Sequence, residues 1–297
     1  MSTPVQQRLF DGAADWTDRH LELFDPAHTD PPSPWAEVPL SELAILALVA
    51  WRRHGRSVDP RVRRWTSFIA DVAARPAFAE RPFRRPETLV SHLLIGTLLA
   101  LVSGADLVAW RRRVETLLRS SNLAAPSLAP HRMLELRHAA DLAGVEHGLG
   151  SYAQLYRATL LGSPINPIFA SRSEAYLVTH VVFYMTDLGH RTPALLGERE
   201  RARLGRLANQ LTGVYLCTGN WDLTAELLLT SWCLGRPNAF DEPAWRMLGQ
   251  AQDPDGSVPG YTWREPGTPG HGPTGDDRFS LRYHTTLVSA LAATACG

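Results

Sequence analysis

Apolar residues recur at spacings of three and four along almost the whole chain, interrupted by proline and glycine, and that rhythm predicts helices. Candidate helices cover roughly 5–24, 39–56, 58–75, 85–102, 104–119, 129–143, 151–162, 172–188, 195–217, 219–234, 240–253 and 281–295. Ser41, Asp59 before Pro60, Ser151, and Ser171 or Ser173 stand where side chains cap helix starts, and Asp241, Glu242 and Pro243 suit a first turn. No segment alternates as a strand does. Helices 39–56, 85–102, 172–188, 219–234 and 281–295 are more continuously apolar than the arginine-rich helices that alternate with them, such as 58–75, 104–119 and 195–217, and 129–143 is the remaining candidate inner helix. An inner layer covered on nearly all sides and an outer layer with one wet face would produce that alternation. The expectation is an all-α chain, a single domain over 1–297 built as an (α/α)6-type toroid of about six helical hairpins.

Composition narrows the chemistry. The chain has 297 residues, 44% of them hydrophobic, and 30 basic residues against 30 acidic ones. Every basic residue is arginine, which removes lysine Schiff bases and the P-loop lysine. No basic stripe offers itself to nucleic acid, so no nucleic-acid partner is expected. Cys217, Cys233 and Cys296 are too few and too scattered for a disulfide framework, which fits a reducing cytoplasm. Met1 to Phe10 lacks the layout of a secretion signal. The apolar run from Leu89 to Val102 is shorter than the ~20 residues needed to span a bilayer, so no membrane insertion is expected.

Gln252-Asp253-Pro254-Asp255-Gly256-Ser257 resembles the glutamine–glycine–tryptophan motif of terpenoid cyclases and related toroids, with Val258 where the tryptophan would stand. That resemblance implies a turn tying an outer helix to the next inner one. The strings Thr179-His180, Tyr184 to Gly189, Asp222 to Glu226 and Tyr283 to Thr286 look like an uncharacterised helical family of actinobacteria, which supports the architecture and implies no reaction. Trp232-Cys233-Leu234-Gly235 is similar to the zinc-binding string of lanthionine cyclases, but the companion Cys-His-Gly string is missing.

The candidate chemistry lies on the apolar helices. His180, Tyr184 and Asp187 are spaced i, i+4, i+7 and share one face. They suit either acid/base work or a self-satisfied buried network. Asp222 and Glu226 form an i, i+4 pair in apolar surroundings, where repulsion should raise one of the two pKa values. Asp222 also suits a plain helix N-terminus. His284 opens the last apolar helix and would meet Asp222 at one rim. Tyr176, Tyr184, Trp232, Tyr261 and Tyr283 are the candidate substrate contacts, Tyr261 lying in the Gly/Pro-rich loop at 254–280, which reads as a lid or as a disordered insertion. Glu135 and His138 are further candidates for the cavity wall.

His180, Asp187, Asp222, Glu226 and His284 are thus the expected catalytic groups, with no cofactor and no metal. The expected activity is cyclisation, isomerisation or dehydration of a largely apolar small molecule or peptide in bacterial secondary metabolism, started by protonation. A non-catalytic small-molecule or peptide binding protein is the competing reading. A zinc-dependent cyclase or hydrolase using Cys233 with His180, His284 and Asp222 is the third.

Overall fold

The computed structural model describes residues 3–28, 36–104, 107–120, 128–192, 195–260 and 275–297. Its helices are α1 (Pro4–Arg19), α2 (Val38–His54), α3 (Pro60–Ala73), α4 (Pro76–Ala79), α5 (Arg81–Arg84), α6 (Leu89–Ser103), α7 (Val108–Ser120), α8 (Pro130–Ala143), α9 (Tyr152–Ala158), α10 (Arg172–Thr186), α11 (Glu198–Cys217), α12 (Trp221–Cys233), α13 (Asp241–Ala251), α14 (Gly275–Ser280) and α15 (Tyr283–Cys296). Among the described residues there is no strand. No helix among them is long and apolar enough to cross a membrane.

Local chemistry explains most helix starts. Ser151 and Ser171 each accept from a backbone amide three residues on, while Gln154 and Glu174 reach back, which satisfies the free amides of α9 and α10. Asp59 caps α3 with Pro60 at its first position. Ser41 is not the cap expected of it: α2 begins three residues earlier, and the Ser41 hydroxyl bonds the Val38 carbonyl inside the first turn. The sequence rhythm passes over α4 and α5, single turns that Pro76 and Pro82 start and that are too short to show a period.

Six helices hold the rest in place. α2 packs against α6, α6 against α8, α8 against α10, α10 against α12, α12 against α15, and α15 returns to α2. Five of them are the helices that the sequence marks as most continuously apolar, and α8 is the remaining candidate for that layer. The others pack on the outside of these contacts: α1 on α15, α3 on α2 and α6, α9 on α8, α11 on α12, and α13 on α12 and α1. α7 joins the same scheme through Val114 and Leu118, which share a core cluster with Leu93 of α6 and Met133 of α8.

The turn after α13 binds three helices together. Gln252 Nε2 donates to the carbonyl of Leu9 on α1 at 3.0 Å and to that of Gly256 at 2.9 Å. The Val258 amide donates to Thr286 Oγ1 on α15 at 2.9 Å, and Arg282 reaches back to Ser257 Oγ at 2.7 Å.

Candidate functional site

The six mutually packed helices enclose a cavity of about 430 Å³. Most of its wall is apolar, with Ile45 from α2, Leu94 from α6, Leu142 from α8, Phe183 from α10, and Leu287 and Leu291 from α15. Polar side chains stand at its two ends and between them.

At one end stand the starts of α2, α12 and α15. The α12 cap is Asn220, whose Oδ1 accepts from the Leu223 amide at 3.1 Å. Asp222 is therefore released from capping, and its carboxylate turns to other helices. Oδ2 accepts from the Tyr176 hydroxyl of α10. Oδ1 lies 3.3 Å from His284 Nε2, an ion contact whose geometry falls short of a hydrogen bond, so this buried oxygen has no hydrogen-bond partner. Glu226, one turn on, is 1% exposed. Its Oε2 accepts from the Thr179 hydroxyl and lies 3.7 Å from His180 Nδ1, while Oε1 lies 3.7 Å from His284 Nε2. The other nitrogen of His284 is held by Glu42 of α2, with Nδ1 to Oε2 at 2.8 Å.

Three carboxylates thus surround one imidazole where helix N-termini meet, and the positive ends of those helices help to hold the negative charge. Burial works against a charge on His284, but attraction from Glu42 and Asp222 outweighs it and raises the pKa well above the ordinary histidine value. Burial likewise opposes ionisation of Asp222, and attraction from His284 with the Tyr176 hydrogen bond overcomes it, so its pKa is lowered. Repulsion within the pair accordingly does not make Asp222 the raised carboxyl. Burial and the Asp222 charge push the Tyr176 phenol upward, which keeps it a donor.

Asp187 does not join this cluster. It ends α10 in the left-handed region, at φ 50°, and both its oxygens sit 3.0 Å from Arg52 Nη1 in the last turn of α2. Seven residues separate it from His180, about 10 Å along the axis, so a shared helix face puts the two at opposite ends of the cavity. α2 and α10 therefore run in the same direction. His138 of α8 is beside it, Nε2 to Asp187 Oδ1 at 3.7 Å, and its buried Nδ1 has no hydrogen-bond partner. Between the ends, Tyr184 donates to Glu135 at 2.9 Å, and Glu135 pairs with Arg132 at 2.6 Å.

The profile of a domain of unknown function, DUF6895, matches residues 10–294. The chain belongs to the DUF6895 family. No curated protein and no solved structure matches this DUF6895 chain.

Of the expected site residues of this DUF6895 protein, His180, Asp222, Glu226 and His284 converge, and Tyr176 and Tyr184 line the same cavity. Trp232 does not. It lies about 240° round α12 from Glu226, is 37% exposed and packs against Gly189. Tyr283 does not line the cavity: it stacks on Phe279 at 5.2 Å and makes T-shaped contacts with Phe24 and His284. Tyr261 lies outside the described residues, as do residues 261–274 of the Gly/Pro-rich loop as a whole. Cys233 sits seven residues beyond Glu226, near Thr186, where burial pushes its thiol up to about 12. Among the described residues, Cys233 belongs to no group of three side chains that could hold a metal ion. Glu42, which holds His284, is the member of this cluster that the sequence pattern does not single out. Its signal is the one that marks His180, a lone charge at the head of an apolar run, Leu43 to Trp51.

Proposed function

We propose that this protein is an (α/α)6 toroid enzyme that takes a largely apolar small molecule or peptide into its central cavity and transforms it by proton transfer at the Asp222–Glu226–His284 end. The cyclic packing of α2, α6, α8, α10, α12 and α15 supports the toroid reading. One observation carries the functional one: His180, Glu226 and His284, from three helices, meet at one end of a cavity whose other walls are mainly aliphatic and aromatic.

Such a pocket binds by apolar burial and orients by a few polar groups. The apolar wall keeps bulk water from a cationic or enol intermediate. Glu42, Thr179 and Tyr176 fix the cluster before substrate arrives, so little reorganisation remains at the moment of reaction. Cyclisation, isomerisation and dehydration begun by protonation are the reaction classes this arrangement suits.

The test is to incubate the purified chain with a small-molecule extract of its producing cells and to profile the mixture by mass spectrometry. The wild type is expected to deplete one apolar compound and form its product. Glu226→Gln is expected to bind that compound without converting it. Leu291→Trp, which fills the cavity, is expected to do neither. A compound that is held by the wild type and released unchanged would instead establish the binding-protein reading.

A further inference from the structure

Each of three side chains at the polar end uses one polar atom on a positioning contact and turns another toward a common point. Asp222 gives Oδ2 to Tyr176, Glu226 gives Oε2 to Thr179, and His284 gives Nδ1 to Glu42. Asp222 Oδ1, Glu226 Oε1 and His284 Nε2 remain, and Nε2 lies 3.3 Å and 3.7 Å from the two oxygens. One ligand atom from each of the three residues falls within 4.8 Å of the others. Asp222 is 5% exposed, and its Oδ1 has no hydrogen-bond partner.

We propose that Asp222, Glu226 and His284 hold a divalent first-row transition metal ion, Mn²⁺, Fe²⁺ or Zn²⁺. Donors in adjacent positions on such an ion, bound at about 2.1 Å, stand about 3 Å apart, so shifts of roughly an ångström would close this set around it. An imidazole with one nitrogen on a carboxylate and the other free is the arrangement by which proteins orient a metal-binding histidine. Two carboxylates and one imidazole suit these ions better than a thiolate-seeking one. The ion would face the cavity past Glu226 and His284, with coordination positions left for water or a substrate oxygen.

This inference rests on reading the cluster as the working end of the cavity, and it makes an ion-bound water or ion-polarised substrate oxygen the acidic element there. It reverses the metal-free expectation drawn from sequence. It also differs from the cysteine-based zinc reading, since Cys233 takes no part.

The experiment is calorimetric titration of the full chain, stripped with chelator, with Mn²⁺ and separately with Zn²⁺, followed by elemental analysis after dialysis. One ion per chain is expected. Asp222→Asn and Glu226→Gln are expected to abolish binding, and Glu42→Gln to weaken it about 10- to 100-fold with all three ligands intact. Asp187→Asn, at the far end, is expected to leave affinity unchanged. Absence of binding to the folded wild type would overturn the proposal, whatever the variants do. So would wild-type affinity in both ligand variants, with far-ultraviolet circular dichroism confirming that each is folded. A chain that binds no ion yet converts its compound would contradict this inference alone, while an ion bound with no compound taken up would contradict the cavity reading alone.

Discussion

His138 is 4% exposed, and burial is the first reason that its pKa falls to about 4. Asp187 pulls it upward less strongly, and the Arg191 and Arg52 charges add to the fall. In the unfolded chain the imidazole titrates near 6.5. Between these values the unfolded state holds a proton that the folded state refuses, so acidification favours unfolding. The stability lost at this residue begins as pH drops through 6.5 and is nearly complete near 4, about 3 kcal/mol in all. Urea denaturation at pH 7 and at pH 4 measures it: His138→Gln is expected to lose about that much less than the wild type over the same interval. Equal losses in the two proteins would remove His138 as a source of acid sensitivity.

The same residue-level logic explains which site groups the sequence exposes. His180, Glu226 and His284 are polar side chains on otherwise apolar helices, and burial of such a group requires a partner. Spacing alone misplaces Asp187, because i, i+7 keeps the face but moves two turns along the axis. It also leaves open whether Asp222 caps its helix. That question turns on Asn220, two residues earlier, whose side chain takes the capping role and frees the carboxylate. Partners such as Glu42 to His284, 242 residues apart, depend on packing that no local spacing encodes.

At the scale of the elements, helix existence and layer follow from apolar rhythm, because tertiary burial stabilises these helices more than propensity does. Their ends follow from capping chemistry where a serine, aspartate or proline announces them, as at Ser151, Ser171 and Asp59. The turn after α13 is legible for another reason. Gly256 has φ 87°, and a Cβ there would stand 2.0 Å from the Gly12 carbonyl oxygen of α1. Only glycine meets both demands. Gly256→Ala is expected to destabilise the chain by about 1–3 kcal/mol from backbone strain alone, with the clash against α1 added. An unchanged urea midpoint would show that this turn does not hold α1, α13 and α15 together.

At the scale of the whole molecule, six helices, five of them continuously apolar, pack in a cycle and leave an unfilled space between them. Close-packed interiors leave few voids larger than a water molecule, and the cavity of about 430 Å³, walled largely by aliphatic and aromatic side chains, is the ligand site of the proposed function. The acid–imidazole cluster lies where α2, α12 and α15 begin. Arg52 and Asp187 close the other end, where α2 and α10 finish. A ligand lying along the axis would meet both.

The measurement that tests this account most directly is a crystal structure of the chain grown with the apolar compound it retains. The compound is expected between Phe183 and Leu291, with its reacting end against Glu226 and His284. Density on the outer face of the helices, with the central space filled by side chains and His284 turned to solvent, would contradict it.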